Sequence, residues 1–172
     1  ETTALIYDSP GVGKKKSYPY ATLLDQVARF ASVLADAGVG KGDRVVIYMP
    51  MMPQAVVAML ACARLGAVHS VVFGGFAAKE LAARLDDAEP RVIVTASGGI
   101  EPSRVVEYLP TIVEALGMSQ GSVETVIVKD RPEVPGPAAH FPDSVAGVAR
   151  LALRERRPPA APPPPALAAA TH

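Results

Sequence analysis

Few residues in this chain have types and spacings that could do chemistry, and most of those point to phosphate. Three glycine-rich stretches compete. Gly11-Val12-Gly13-Lys14 looks like the end of a phosphate loop. The pattern G-x-x-x-x-G-K-[ST] would need Gly at position 8 and Ser or Thr at position 15, and the chain has Asp8 and Lys15. Gly38-Val39-Gly40-Lys41-Gly42 follows a helical stretch and precedes a strand, the reverse of a phosphate cradle, so it reads as a helix stop and tight turn. Phe73-Gly74-Gly75-Phe76 is placed as a ligand loop should be, after a strand and before a helix. A glycine pair lacks the full dinucleotide fingerprint, and it could equally serve close helix packing.

Arg104 follows the glycine-rich loop Thr95 to Arg104 and stands near an expected helix start. A guanidinium beside free helix N–H groups suits a phosphate, while an isolated arginine is ordinarily a solvated surface residue. His69 lies on a strand and reads as a core or sheet-edge histidine; His140 and His172 lie in an irregular tail. No two His, Cys or carboxylate residues show metal-ligand spacing, and no Ser–His–Asp arrangement suggests itself. The single cysteine, Cys62, sits in an apolar run and reads as a buried, inert thiol. The chain therefore shows no catalytic constellation of its own.

Composition narrows the classes further. The 172 residues carry 17 Lys+Arg against 17 Asp+Glu, and a neutral chain without a basic stripe is a poor nucleic-acid binder. One cysteine excludes a disulfide framework. The longest wholly apolar run, Ala55 to Ala63, falls far short of the ~20 residues a bilayer span requires, so no membrane partner is expected. The first residue is Glu1, which leads to the expectation of a fragment or processed product.

The elements that must position the glycines and Arg104 follow from periodicity. Thr2 to Tyr7 and Ser17 to Tyr20 predict an N-terminal β-hairpin. Leu23, Leu24, Val27, Phe30, Ala31 and Leu34 make a helical stripe, with Thr22 and Asp25 as a capping box and Gly38 as its stop. Strands follow at Arg44 to Met49, Val68 to Phe73, Arg91 to Thr95 and Thr125 to Val128. Helices at Ala55 to Leu65, about Ala77 to Asp87, and Val105 to Leu116 separate them, the last kinked or restarted at Pro110. Val/Ile-rich strands alternating with helices predict an α/β fold with a mostly parallel, helix-flanked sheet. Three loops would share its carboxyl edge: Met49 to Met52, Phe73 to Phe76 and Thr95 to Arg104.

Ten of the 17 prolines lie from Pro132 onward. Residues 1–131 are therefore expected to hold the folded domain, residues 132–157 to be irregular with a short helix over Ser144 to Arg157, and residues 158–172 to be a disordered Pro/Ala tail.

The run Gly42 to Phe76, GDRVVIYMPMMPQAVVAMLACARLGAVHSVVFGGF, resembles the acetyl- and propionyl-CoA synthetases of the AMP-forming acyl-CoA synthetase superfamily. ETTALIYDSP and VTASGGIEPSRVVEYLP extend the resemblance over about residues 1–132, and they look most like a mitochondrial, propionate-preferring branch of that family. The resemblance implies part of an adenylate-forming domain. The whole enzyme would activate propionate or acetate with Mg-ATP and pass the acyl group to coenzyme A in the mitochondrial matrix. It further implies that Glu101, Pro102, Ser103 and Arg104 match the family's coenzyme A loop, with Arg104 on a coenzyme A phosphate. Phe73, Gly74 and Gly75 would lie along the pantetheine. Glu101 stands where acetyl-CoA synthetases have another arginine. Ser103 replaces a glycine of the motif Glu-Pro-Gly-Arg, so its side chain could crowd the ligand.

The family's Ser/Thr/Gly-rich phosphate loop ending Pro-Lys-Gly, its adenine and ribose contacts and its lid lysine do not occur in these residues. The ATP and Mg sites are thus expected outside the chain, and the chain alone is expected to be inactive. The alternative is a stand-alone, non-catalytic binding module derived from that domain. A nicotinamide-dependent oxidoreductase is disfavoured because no strand is followed by G-x-G-x-x-G.

Overall fold

The computed structural model describes residues 2–101, 104–134 and 149–152. The chain opens with β1 (Thr3–Ser9) and β2 (Lys14–Pro19), an antiparallel hairpin turning through a short 3-10 segment at Pro10–Val12 and the left-handed Gly13 (φ 63°). The failed phosphate loop is thus a hairpin turn. Helix α1 (Tyr20–Asp36) buries Val27, Phe30, Ala31 and Leu34 of the expected stripe, while Leu23 is partly buried and Leu24 is exposed. It begins earlier than the stripe suggests, at Tyr20 directly after Pro19, and no side chain caps it. The capping box expected at Thr22 and Asp25 does not form; Asp25 instead accepts a 2.8 Å bond from Arg29 one turn on.

Strand β3 (Arg44–Met49), α2 (Pro53–Leu65), β4 (Val68–Phe73), α3 (Ala78–Ala88) and β5 (Val92–Ala96) follow as the alternation predicts. Pro53 starts α2, where its missing N–H costs nothing, and Gly66 ends it with φ 70°. Beyond β5 the structure departs from expectation. Gly98–Glu101 (β6) and Arg104–Glu107 (β7) pair antiparallel as a second hairpin, and helix α4 runs Tyr108–Met118. Val105 and Val106, expected in the helix, are β-branched residues in a strand. Pro110 neither kinks nor restarts α4. It is the third helical residue, within the first turn, where backbone N–H groups have no intrahelical partner in any case.

Strand β8 (Thr125–Lys129) completes the expected set, and β9 (Ala149–Ala152) adds to it in parallel. These four residues fall inside the segment expected to be helical, so the structure corrects that expectation for them: the edge of β8 away from β5 has backbone groups to pair, and residues 149–152 take them in parallel register. The rest of that segment and the Pro/Ala tail lie outside the described residues.

The five-stranded sheet is parallel throughout, in the order β4-β3-β5-β8-β9. β3 and β5 are buried along almost their whole length, which is why their sequences do not alternate. α1 packs on α2, and α3 on α4. The chain moves from β3 outward to β4 and then back past β3 to β5. With right-handed crossovers this reversal sends α2 and α3 to opposite faces. It also creates a switch point, between the carboxyl ends of β3 and β5, where open α/β sheets usually hold ligands.

Candidate functional site

The carboxyl edge at the switch point is built around two tyrosines. Tyr48, near the end of β3, is buried, and its hydroxyl points at the carbonyls of Phe76 (2.8 Å) and Gly74 (3.2 Å). It thereby ties the loop after β4 to the sheet. Thr95 on β5 donates its hydroxyl to the Tyr48 carbonyl at 2.8 Å, joining the two strands that flank the switch point. The Tyr108 ring, at the start of α4, stacks tilted against Tyr48 with centroids 5.0 Å apart. Burial, and secondarily the neighbouring Tyr108, pushes the Tyr48 phenol up to about 12; burial also raises that of Tyr108. Both are therefore neutral across the physiological range.

Tyr108 fills the crevice that the topology opens. A Cβ on Gly74 would stand 2.4 Å from its hydroxyl oxygen, and a Cβ on Gly99 2.5 Å from the same atom. Both values are far inside van der Waals contact, so glycine at 74 and 99 is what lets this ring lie between the two loops. Gly75 differs from its neighbour: its Cβ would meet the edge of the Phe73 ring at 2.6 Å, and that ring is two-thirds exposed and free to turn. For Gly74, close packing is sufficient reason for the residue type; for Gly75 packing gives none.

The predicted site residues divide accordingly. Phe73, Gly74 and Gly75 lie at the carboxyl end of β4, with Phe73 exposed and edge-on to Phe76. Glu101 and Arg104 face each other at the outer end of the β6–β7 hairpin, and Arg104 Nε donates to Glu101 Oε2 at 2.9 Å. Pro102 and Ser103 lie outside the described residues. Arg104 does not stand at a helix N-terminus as its sequence context suggests. It opens β7, and α4 begins four residues later, so the helix N–H groups do not join it. Its guanidinium is well exposed, with one ion-pair partner. Tyr108 is the link between the two halves, since it touches both Gly74 and Gly99.

Sequence reasoning passed over the residues that brace this edge. Ser97 Oγ donates to the Val134 carbonyl (2.7 Å) and accepts from the Arg131 backbone N–H (3.0 Å). Arg131 Nη1 donates to the Gly98 carbonyl at 2.9 Å. Glu133 pairs with Lys14 on the N-terminal hairpin, and that hydrogen bond holds its carboxyl below the usual range. A signal was present: Tyr48 and Tyr108 carry polar tips into apolar stretches, and such tips normally mark a join between elements. A cleft of about 520 Å³ opens beside this brace, between the N-terminal hairpin and the start of α2. Most of its cations are committed, Lys14 to Glu133, Lys15 to Asp8 and Arg131 to Gly98.

The family model described as AMP-binding enzyme matches residues 1–170. The chain belongs to the AMP-binding enzyme family. Acyl-CoA synthetase short-chain family member 3, mitochondrial, from Mus musculus is 55% identical over 131 residues, covering 76% of this chain and 19% of that protein. Acetyl-coenzyme A synthetase from Pasteurella multocida is 47% identical over 137 residues, covering 80% of this chain and 21% of that protein. An uncharacterized protein of Pseudomonas aeruginosa reaches 59% identity over 135 residues, 78% of this chain and 22% of that protein. Among solved structures, acetoacetyl-CoA synthetase from Streptomyces lividans superposes with a TM-score of 0.70 at 30% identity, covering 86% of this chain and 21% of that one. The chain thus spans about a fifth of the length of these relatives. The AMP-binding family and its α/β architecture are as the sequence resemblance implies.

Proposed function

We propose that this chain works as the opening portion of the adenylate-forming domain of a short-chain acyl-CoA synthetase. The whole enzyme would convert propionate or acetate and Mg-ATP to an acyl-adenylate and pyrophosphate, and coenzyme A would then displace AMP to give the acyl-CoA. Within that reaction these residues supply part of the coenzyme A surface and not the phosphate loop. The supporting observation is the close identity to short-chain synthetases over 131 residues, carried on a structure whose glycine loop and Arg104 hairpin both leave the carboxyl edge of one sheet.

The chemistry of the hairpin suits one phosphate. Arg104 is exposed, and its one side-chain hydrogen bond to a described residue runs from Nε; a guanidinium can pair with a phosphate through two donors. Glu101 holds Nε and adds a negative charge that a phosphate must approach. In water, two unit charges at ~4 Å repel by about 1 kcal/mol, so Glu101 should weaken binding by roughly fivefold. Pro102, Ser103, Phe73, Gly74 and Gly75 complete the proposed coenzyme A surface. The mammalian relatives are named as mitochondrial and the other two are bacterial, so a mitochondrial location is a proposal that goes with the mammalian likeness alone.

Titration of the chain with coenzyme A tests this reading. Saturable binding should be lost in Arg104→Ala and strengthened a few-fold in Glu101→Gln; a flat titration with the unaltered chain would sink it. The chain should not catalyse propionate-dependent exchange of pyrophosphate into ATP. One feature favours the second reading, a non-catalytic interaction module. The edge strand β4 exposes Val68, Val71 and Phe73 by 52–66%, a surface suited to covering by another chain. Self-association of the chain without coenzyme A binding would favour that module.

A further inference from the structure

Arg131 is the only charged residue buried among the described residues, with 7% exposed. A guanidinium withdrawn from water needs its donors answered. Its Nη1 bonds the Gly98 carbonyl (2.9 Å), and its Nε lies 3.7 Å from Glu133. Its backbone N–H bonds Ser97 Oγ, which in turn bonds the Val134 carbonyl, and Val134 N–H returns to the Arg131 carbonyl at 3.1 Å. These bonds close a compact turn, residues 131–134, against residues 97 and 98.

Residues 97 and 98 are the root of the β6–β7 hairpin. The hairpin leaves the sheet at Ser97 and returns at Tyr108, whose N–H bonds the Ser97 carbonyl at 3.3 Å. Gly98 pairs with Glu107 in its last register position. A Cβ on Gly98 would lie 2.5 Å from the Val106 carbonyl and 2.7 Å from the Val134 side chain, so the turn abuts the hairpin backbone directly. A hairpin of four residues a side is marginal without outside support. Left to itself it would pivot at Ser97 and carry Arg104 with it.

We propose that Arg131 is a positioning residue for the coenzyme A hairpin, clamping its root through the Gly98 carbonyl so that Arg104 is held where it meets the ligand's phosphate. This rests on the assignment of Arg104 to coenzyme A made above. The clamp also extends the working unit past the composition break at Pro132. Glu133 passes the tether on to Lys14, which places the N-terminal hairpin in the same brace.

Hydrogen exchange and coenzyme A titration of the 172-residue chain, run side by side, test the clamp. Arg131→Met keeps length and removes every donor. Hairpin amides from Gly99 to Glu107 should exchange at least ~10-fold faster, consistent with losing a bond from a charged donor, while β3 and β5 amides keep their rates. Coenzyme A affinity should fall at least ~5-fold, and Arg131→Lys should recover part of both effects. Should Arg131→Met fail to fold, Arg131→Lys is the fallback: it keeps the charge but cannot reproduce the planar fork on the Gly98 carbonyl, and a smaller hairpin-confined acceleration is expected. Unchanged hairpin exchange, or equal acceleration in every element, would overturn the clamp and leave Arg131 as a general stabiliser. If the unaltered chain binds no coenzyme A, the assignment of Arg104 falls separately, and the exchange pattern alone decides the clamp.

Discussion

Replacing Gly74 by alanine should be far more damaging than replacing Gly75, although the two are adjacent and neither has positive φ. The difference is what each new methyl meets. At 74 it meets the Tyr108 hydroxyl at 2.4 Å, the ring carbon bearing it at 2.8 Å and the Met49 carbonyl at 3.3 Å. Relief requires the oxygen to retreat by roughly 1 Å in a core packed near crystal density. Tyr108 cannot swing away freely, because the Gly99 backbone and the Tyr48 ring lie close against it and only 4% of it is exposed. Overpacking of this kind costs about 1–3 kcal/mol, and a backbone oxygen among the obstacles puts Gly74→Ala toward the upper end. At 75 the methyl meets a two-thirds-exposed ring that turns aside, so the cost should stay below about 1 kcal/mol. Tyr108→Phe supplies the control. Its hydroxyl makes no hydrogen bond among the described residues, so removing it should be neutral or mildly stabilising, and it should recover at least ~1 kcal/mol in the Gly74→Ala background. Urea unfolding followed by circular dichroism, with the four members of the cycle at equal slope, measures this. Gly74→Ala within 0.5 kcal/mol of the parent (about the usual scatter of neutral surface changes), or additive behaviour with Tyr108→Phe, would refute the packing argument.

Cys62 is fully buried on α2 and burial pushes its thiol up to about 11, so a disulfide reagent at pH 8 should label it at least roughly 200-fold more slowly in the native chain than in urea. Labelling as fast as a free peptide thiol would mean that α2 does not pack as described. Asp86 accepts bonds from the Ser119 hydroxyl and the Gln120 and Gly121 N–H groups, which hold its carboxyl below the usual range. A lowered native value stabilises above the unfolded value near ~4 and the benefit is lost as pH falls through the native value. The melting temperature of Asp86→Ala should therefore lie furthest below the parent at neutral pH and converge on it in acid; a gap independent of pH would contradict the role.

The central strands were legible because burial on both faces leaves an unmistakable apolar run: RVVIYM and TVIVK could hardly be anything else in a chain of this composition. α2 was legible at both ends, since Pro53 and Gly66 each have one physical use there. The β6–β7 hairpin was not. Its residues have no alternating face, and the signal that ends β7, Tyr108, is answered by Gly74 and Gly99, far apart in sequence. Strand β9 was hidden for a similar reason. SVAGVARLALRERR has a helical stripe, and the strand state of Ala149–Ala152 within it is imposed by the open edge of β8 rather than by its own pattern. The resemblance put Glu101 and Arg104 in one loop, but nothing in the local sequence told that a hairpin, and not a helix start, would present them.

That distinction changes how the candidate site can work. Had Arg104 stood at a helix N-terminus, the backbone would have shared the work of holding a phosphate, and the site would have been as rigid as the helix. At the end of a short hairpin the guanidinium acts alone, its geometry no better than the root that carries it. Gly98, Ser97 and Arg131 are the residues through which that root is held, and Tyr108 packs the return strand onto the switch-point crevice. On the proposed coenzyme A assignment, binding at Arg104 would depend on residues away from the hairpin tip, including two, Arg131 and Val134, at the margin where composition alone would end the domain. Removing residues from 131 onward should for this reason loosen the hairpin before it unfolds the sheet, because β8 ends at Lys129 and keeps its ladder to β5 without them.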